Sequence, residues 1–318
     1  LYLGVMIFIG LRTASKNNSS ADFFLGGRKM GPWMTALSAE ASDMSSRLLM
    51  GLPGVAYLTG GAEAGWTAIG LAIGTYLNWL IVAKRLRIYT QKTNSLTIPE
   101  FFSARYHDNA GVLKAIAAVI ILVFFVPYTA SGFSACGRLF ETLFNWDYHI
   151  AMVFSAVVII SYTCSGGFLA ASFTDLIQSI VMTLALISIV IFGVKHAGGV
   201  NQVVDNAKSL AGYFSLSNIH NVETKQADHY SLWTIASLLA WGLGYFGMPH
   251  VLLRFMATED QNKIKTSRRI ATIWVIISMF VAIFIGFIGN VLSANGVLET
   301  LSNNDSERII IKIAMFMS

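Results

Sequence analysis

Three ionisable residues interrupt an otherwise apolar stretch near the beginning of this sequence. The stretch runs from Gly31 to Leu58 and contains Glu40, Asp43 and Arg47. An ionisable side chain at the centre of a bilayer-spanning helix costs roughly 2.5–3.5 kcal/mol even on a lenient scale, so such a residue is a functional candidate by default. On a helix with about 100° per residue, offsets of three and seven place all three charges on one arc of ~60°. We therefore expect them to share a protein-lined interior instead of facing lipid.

Small and polar residues in the same stretch favour a helix that is interrupted within the membrane. Gly51, Pro53 and Gly54 weaken helical structure, and serines occupy positions 38, 42, 45 and 46 around the charges. This composition is typical of a helix that unwinds midway and offers backbone carbonyls to a ligand or an ion.

A second interrupted span is predicted at Trp241–His250, where three glycines and Pro249 fall within one apolar segment. On an α-helix, Trp241 and Tyr245 would share a face because they are four residues apart. Either the segment is a packing kink with interfacial aromatic residues, or the two rings form one wall of a midplane binding pocket. Two interrupted spans in one chain favour the pocket, because paired broken helices mark the binding site of many transporters.

The composition indicates a membrane protein. The chain is 55% hydrophobic and 12% charged, whereas soluble domains are ~25% charged. Six blocks lack Asp, Glu, Lys and Arg and mostly approach the ~20 residues that cross a bilayer, namely Trp66–Val82, Ala115–Cys136, Ile150–Ser165, Leu176–Val194, Leu232–Leu253 and Ile270–Leu292. With the interrupted stretch they predict about seven full spans, and Leu1–Leu11 and Ile309–Ser318 predict two partial ones. We expect an all-α membrane protein in which residues 1–318 form a single transmembrane domain that is incomplete.

The distribution of basic residues predicts the orientation in the membrane. Most of the 22 lysines and arginines fall in the odd-numbered connections, such as the segments 12–29, 84–114 and 254–269. The positive-inside rule makes these connections cytoplasmic and places the N-terminus outside. Because the basic residues are spread between spans with no aromatic platform, nucleic-acid binding is not predicted. The sequence contains no G-x-S-x-G, H-E-x-x-H or phosphate-loop motif, so an enzyme is not predicted either.

Four longer motifs occur in the order SAEASDMSSRLLMGLPG (Ser38–Gly54), LTIPEFFSARY (Leu96–Tyr106), GGFLAASFTDLIQ (Gly166–Gln178) and WGLGYFGMPH (Trp241–His250). Together they resemble the sodium/solute symporter family, with the greatest likeness to its sodium/proline symporters. The resemblance implies a multi-span helical bundle of the inverted five-helix-repeat type with two discontinuous helices, whose C-terminal part is missing here. It also implies a multi-pass protein of a bacterial plasma membrane with an outside N-terminus, as the basic connections predict independently.

The resemblance implies that sodium is the coupling ion and that no other cofactor takes part. Asp43 matches the aspartate of the family's first broken helix that sodium coupling requires. Ala41 and Met44 match positions whose backbone carbonyls bind sodium, and Ser45 matches a neighbouring hydroxyl of that site. Oxygen ligands of this kind suit a hard cation. The remaining sodium ligands of the family lie on a later helix, beyond residue 318.

The resemblance also implies a solute site. Six residues match positions that line the proline site of the family, namely Ser42, Gly51, Tyr128, Trp241, Tyr245 and Pro249. The expected function is sodium-coupled secondary active uptake of a small amino acid, with L-proline as the expected substrate and the lipid bilayer as the surroundings. Two alternatives stay open: a sodium symporter for another solute, such as a sugar, pantothenate or a carboxylate, and the membrane half of a transporter-like sensor.

Two features depart from the family pattern and weaken the assignment of proline. A Gly-Trp pair of relatives is replaced by Ser46 and Arg47, and some relatives have a small residue in place of Glu40. Arg47 would snorkel or pair with Glu40, form an in-helix ion pair with Asp43 if the helix is continuous, or contact the carboxylate of the substrate. The sequence leaves these roles open.

Overall fold

The structure of the chain, a computed structural model, consists almost entirely of helices. It describes residues 2–15, 17–45, 47–303 and 305–317. The α-helices in these residues are α1 (Tyr2–Ala14), α2 (Ser20–Leu25), α3 (Pro32–Asp43), α4 (Leu52–Thr59), α5 (Gly61–Asn78), α6 (Lys84–Lys92), α7 (Ile98–Arg105), α8 (Val112–Phe144), α9 (Tyr148–His196), α10 (Val200–Ser209), α11 (Leu232–Ala240), α12 (Pro249–Ala257), α13 (Ile264–Ala294) and α14 (Ile309–Met317).

Shorter elements connect these helices. Two are π-helical turns, Arg47–Gly51 and Trp79–Ala83, and three are 3₁₀-helices, Gly26–Arg28, Trp241–Gly247 and Ser306–Arg308. Strands β1 (Asn218–His220) and β2 (Ala227–His229) form an antiparallel pair in which Ile219 lies opposite Asp228.

Four helices in the described residues are long and apolar enough to cross a bilayer, namely Gly61–Lys92, Val112–Phe144, Tyr148–His196 and Ile264–Ala294. The first of them contains α5, a π-helical turn and α6. A fifth crossing forms if Leu232–Gly247 and Pro249–Ala257, which meet at 48°, are counted as one bent span. This bent pair is the second interrupted span that the glycines and Pro249 predict. The all-α membrane class is confirmed.

Helix α9 contains two of the predicted spans. At ~1.5 Å per residue, an unbroken helix of its 49 residues would be more than twice as long as the ~30 Å hydrocarbon core is thick. Gly167 interrupts it with φ 61° and ψ −156°, a conformation open only to glycine. The break occupies one residue and the helix resumes directly after it, so no loop separates the predicted spans Ile150–Ser165 and Leu176–Val194.

The chain divides into two compact units. The first unit contains Leu1–Asp43, Leu77–Ser179 and Phe246–Ala271, and the second contains Met44–Tyr76, Ile180–Tyr245 and Thr272–Ser318. That residues 1–318 form a single transmembrane domain stays a prediction.

In the first unit, Arg28 joins three segments. Its guanidinium donates to the backbone carbonyls of Thr90, Ser95 and Met256 at 3.0, 2.8 and 2.9 Å. Met30 forms a parallel bridge with Thr258 directly after α12. These bonds fix the loop before α3 to the ends of α6 and α12, so they set where α3 enters the unit.

In the second unit, Tyr57 of α4 occupies a similar junction. Its carbonyl accepts hydrogen bonds from the hydroxyl of Tyr213 and from Nδ2 of Asn290, each at 3.0 Å. Its own hydroxyl lies 3.1 Å from Oγ of Ser293 and accepts from the backbone N–H of Leu301 at 3.0 Å. Tyr57 therefore connects α4 to α13, to the segment between α10 and β1 that contains Tyr213, and to the segment after α13 that contains Leu301.

Glycines allow backbone-to-backbone packing in the second unit. A Cβ atom at Gly74 would overlap the carbonyl of Gly242, and one at Gly242 would overlap the carbonyl of Gly70. The small-residue pair at positions 70 and 74 thus lets α5 pack directly against the 3₁₀-helix Trp241–Gly247.

Candidate functional site

Helix α3 ends inside the apolar stretch, at Asp43. Met44 and Ser45 are not helical, and the chain resumes as the π-helical turn Arg47–Gly51 before α4. A helix leaves its last four carbonyls without intrahelical partners. Within the described residues, no backbone N–H donates to the carbonyl of Ala41 or of Met44. The predicted interruption is therefore present, and among the described residues the two carbonyls predicted to bind sodium have no backbone donor.

The interruption lies before the glycines and the proline that pointed to it. Gly51 has helical angles of φ −68° and ψ −45°, and Pro53 falls in the first turn of α4, where proline is tolerated. A Cβ atom at Gly54 would lie 2.9 Å from the backbone of Ser306. Glycine at this position therefore serves close packing, and unwinding occurs at Met44 and Ser45 instead.

The predicted arc of three charges is wrong. It requires one continuous helix from Glu40 to Arg47, whereas α3 ends at Asp43. The continuous helix on which an in-helix ion pair between Asp43 and Arg47 depends is not present. Ser46 and the side chain of Arg47 lie outside the described residues, so the other roles considered for Arg47 stay predictions.

In the first unit, Asp43 faces a cluster of rings. Its side chain is buried, and its Oδ1 lies 4.0 Å from Nε2 of His250. The His250 ring stacks on Tyr128 with a centroid distance of 5.6 Å and an interplanar angle of 16°, and Phe125 contacts the same ring edge-on at 5.7 Å. Neither nitrogen of His250 has a hydrogen-bond partner within the described part of the chain. Because buried polar groups are nearly always paired, this ring offers a donor and an acceptor to a polar ligand beside Asp43.

A buried ion pair lies next to this cluster. Nη2 of Arg254 donates to Oδ2 of Asp175 at 2.6 Å, and its Nε donates to the hydroxyl of Ser38 at 2.7 Å. The Ser38 hydroxyl in turn donates to Asp175 at 2.8 Å. Three helices meet in this network, since Ser38 lies on α3, Asp175 on α9 and Arg254 on α12. The network positions α3 and α12 next to each other at the level of Asp43 and His250.

Glu40 has a hydrogen-bond partner that the sequence analysis did not consider. It is buried, and its Oε1 accepts a hydrogen bond from Nε1 of Trp79 at 3.2 Å. The Trp79 ring packs on Phe255 with a centroid distance of 4.4 Å. Glu40 therefore fastens α3 to the span that contains Trp79.

The second interrupted span unwinds into the 3₁₀-helix Trp241–Gly247. A 3₁₀-helix has three residues per turn, so residues four apart are about 120° from each other. The prediction that Trp241 and Tyr245 share a face is therefore wrong. Their surroundings differ accordingly, since the Trp241 side chain is 36% exposed and that of Tyr245 is 4% exposed. Pro249 opens α12, where its missing N–H has no helical role.

The second unit contains a cavity of about 220 Å³ beside Trp241. Gly51 and Trp241 line it, as do the carboxylates of Glu63 and Glu307 and the hydroxyl-bearing Thr67. The cavity joins two of the predicted solute-site residues to two acidic groups that the sequence analysis did not single out.

The predicted residues divide between the two units. Ala41, Ser42, Asp43, Tyr128 and Pro249 belong to the first unit, and Met44, Ser45, Gly51, Trp241 and Tyr245 belong to the second. The Ser42 hydroxyl donates to the carbonyl of Ala39 at 2.9 Å. Asp43 and Tyr128 come together at His250, and Gly51 and Trp241 meet at the cavity; Tyr245 is buried and does not line it.

Sequence reasoning missed His250, Asp175 and Arg254. Arg254 was counted among the basic residues of a cytoplasmic connection, which is wrong because it is buried within α12. A usable signal was present, since an acidic residue at 175 and a basic residue at 254 each follow or interrupt an apolar run. Charged groups in such places usually have a buried partner.

Comparison with known proteins gives consistent results. The family model described as "Sodium:solute symporter family" matches residues 23–318. The sodium/proline symporter of Salmonella typhimurium strain LT2 is 41% identical over 319 residues, which cover 100% of this chain and 62% of that protein. The sodium/proline symporter of Escherichia coli strain K12 is 40% identical with the same coverage. The osmoregulated proline transporter of Bacillus subtilis strain 168 is 41% identical over 91% of this chain and 57% of its own length. The chain thus spans about three-fifths of these relatives.

A solved structure shows the fold. A Na⁺-coupled sialic acid symporter, determined in a substrate-bound outward-open state, superimposes with a TM-score of 0.80. The superposition covers 99% of this chain and 68% of that one, at 18% sequence identity. At this identity the likeness concerns the fold alone, and it confirms the symporter-type helical bundle with discontinuous helices.

Proposed function

This chain belongs to the sodium:solute symporter family, and on that premise we propose that the protein containing it takes up L-proline together with sodium across the bacterial plasma membrane. The observation that carries the proposal is the interruption of α3 at the buried Asp43. It occurs in a chain that is 40–41% identical over its whole length to two sodium/proline symporters.

The sodium half of the proposal rests on the end of α3. Asp43 supplies a negative charge there, and the carbonyls of Ala41 and Met44 together with the Ser45 hydroxyl supply neutral oxygens. Such oxygen ligands stabilise a hard cation. Because sodium carries a single positive charge, Asp43 balances it and no second buried carboxylate is needed. Because helix C-termini carry partial negative charge, the end of α3 also favours a cation.

The solute half of the proposal rests on two features. In the first unit, Tyr128 stacks on the ring of His250, which directly follows Pro249 and whose nitrogens have no hydrogen-bond partner among the described residues. The resemblance adds Ser42 of α3 to this half of the site. In the second unit, Gly51 and Trp241 line the cavity. L-proline has an apolar ring that can pack on aromatic side chains. Its charged amino and carboxylate groups can bind to freed backbone groups and helix termini. Tyr245 is buried in the same 3₁₀-helix, and its place in the solute site is implied by the resemblance alone.

Uptake by the purified protein in liposomes tests this function. Labelled proline should accumulate when sodium is high outside and low inside, and should not accumulate when potassium replaces sodium. Unlabelled proline should compete, whereas glucose, pantothenate and acetate should not. Competition by one of those solutes, without competition by proline, would reassign the substrate and retain the symporter.

Replacement of Trp241 by alanine should raise KM for proline by about tenfold to hundredfold, because losing the contact between its ring and the solute costs about 1–3 kcal/mol. The sodium concentration for half-maximal uptake should change much less, since Trp241 contacts the solute. Trp233→Ala is the matched control, because Trp233 is 86% exposed on α11. An unchanged KM in Trp241→Ala would place the solute elsewhere.

A further inference from the structure

An apolar groove of about 500 Å³ lies in the first unit, away from Asp43 and His250. One wall comes from the span that ends in α6 and includes Ile81 and Tyr89. The other comes from α7 and includes Phe102, and Leu252 of α12 forms part of the floor. We call this feature the α6–α7 groove. Its volume falls in the range of ~300–1,000 Å³ that is usual for sites of small ligands.

The groove follows the last turns of the span Gly61–Lys92. Ile81 lies within the span Gly61–Lys92 and is 43% exposed, as expected of a lipid-facing side chain. Within the next turns the same helix becomes basic, at Lys84, Arg85, Arg87 and Lys92. Tyr89 lies at this level, as expected because tyrosine is enriched at the membrane–water interface.

Two guanidinium groups, Arg85 and Arg105, stand at the polar end of the groove. Both are exposed, and within the described residues neither forms an ion pair. The Arg105 guanidinium lies over the Tyr89 ring, 5.5 Å from its centroid. Arg28, Arg87 and Arg254 of the same unit are, by contrast, all engaged by backbone carbonyls or an acidic side chain.

We propose that the α6–α7 groove binds one anionic phospholipid of the cytoplasmic leaflet. The acyl chain lies along the apolar walls at Ile81 and Phe102, and the phosphate is held between Arg85 and Arg105. Arginine is suited to this role because its planar fork binds phosphate oxygens in pairs. The positive-inside orientation puts these arginines at the leaflet where anionic lipids attract juxtamembrane basic residues.

A lipid explains both ends of the groove at once. A free phosphate would need the two arginines but would leave the apolar walls without a partner, and a neutral lipid would leave the guanidinium groups without one. Because Leu252 lies on α12, two residues after His250 and two before Arg254, an occupied groove also supports the helix that carries both of these side chains.

Lipid binding to the purified protein in detergent tests this site. Native mass spectrometry or a tryptophan-fluorescence titration with phosphatidylglycerol gives a dissociation constant. The double variant Arg85→Gln, Arg105→Gln should raise it about tenfold or more. The matched control is Lys84→Gln, Lys92→Gln, which removes the same charge from exposed positions of α6 that do not line the groove. It should change the constant less than twofold.

Two further arms of the experiment decide the chemistry of the ligand. Phosphatidylcholine and inorganic phosphate at equal concentration should bind the unaltered protein at least tenfold more weakly than phosphatidylglycerol. An equal loss of binding in both double variants would show general charge attraction and overturn the site. So would unchanged binding in the arginine variant, or competition by inorganic phosphate at equal concentration. Sodium-coupled uptake does not enter this test, so its outcome is independent of the proposed transport function.

Discussion

Replacement of Asp43 by asparagine is expected to raise the sodium concentration for half-maximal proline uptake by about tenfold to hundredfold. The change removes the negative charge at the end of α3 but keeps the shape of the side chain. A loss of about 1.4–2.8 kcal/mol in cation binding corresponds to that range. The measurement is initial proline uptake in liposomes as a function of external sodium.

The control for this variant is Asp147→Asn. Asp147 accepts hydrogen bonds from the N–H groups of His149 and Ile150 at the start of α9, and asparagine can still accept them. The control therefore removes an exposed charge without disturbing a helix end, and its sodium dependence should stay normal. If Asp43→Asn showed normal sodium dependence as well, Asp43 would have no part in coupling.

Replacement of Arg254 by leucine is expected to destabilise the protein by about 3–5 kcal/mol, because it leaves Asp175 as a buried charge without its partner. The side chains of Arg254 and Asp175 are 7% and 15% exposed, so solvent screens this pair weakly. Transport should fall as well, since Arg254 holds α12 against α3. Denaturant or thermal unfolding of the purified protein measures the first effect.

Two companion variants show whether the ion pair is responsible. The double variant Arg254→Leu, Asp175→Leu should recover a large part of the lost stability, because an apolar pair of similar size leaves no charge uncompensated. Arg308→Leu removes a half-exposed partner of Asp305, at 3.8 Å, and should cost less than about 1 kcal/mol. A double variant no more stable than Arg254→Leu would mean that packing, and not charge, explains the loss.

The spans could be predicted from the sequence because a bilayer imposes its thickness on a helix. A run of ~20 apolar residues can form few structures other than a membrane-spanning helix. Interruptions could also be predicted: the glycines and Pro249 indicate the second, whereas the first lies at Met44 and Ser45, before the glycines and the proline that pointed to it. Their positions could not be predicted to the residue. The 3₁₀-helix at Trp241 includes Gly242, whose backbone packs closely against Gly74, and a contact between residues so far apart in the sequence leaves no local signal.

The charged network could not be predicted from the sequence for a similar reason. Asp175 and Arg254 are 79 residues apart, and nothing local distinguishes a buried arginine at the end of an apolar helix from one in a basic connection. Ser38 was noted as a polar residue near Asp43, but its partners come from two other helices. Resemblance to a family supplied the candidate residues; the contacts that orient them come only from the folded chain.

The junction at Tyr57 has a consequence for the order in which the protein is made. Its carbonyl is among the last four of α4 and has no partner within that helix. The residues that satisfy it, Tyr213 and Asn290, follow 156 and 233 positions later, and Leu301, which binds its hydroxyl, follows 244 positions later. At a synthesis rate of about 5–20 residues per second, α4 waits roughly 10–50 s for these partners. During that interval the ribosome is still adding α5 to α13, and a polar backbone group of α4 must stay near water or the insertion machinery. Completion of the second unit is therefore a late event of biogenesis, set by the arrival of α13.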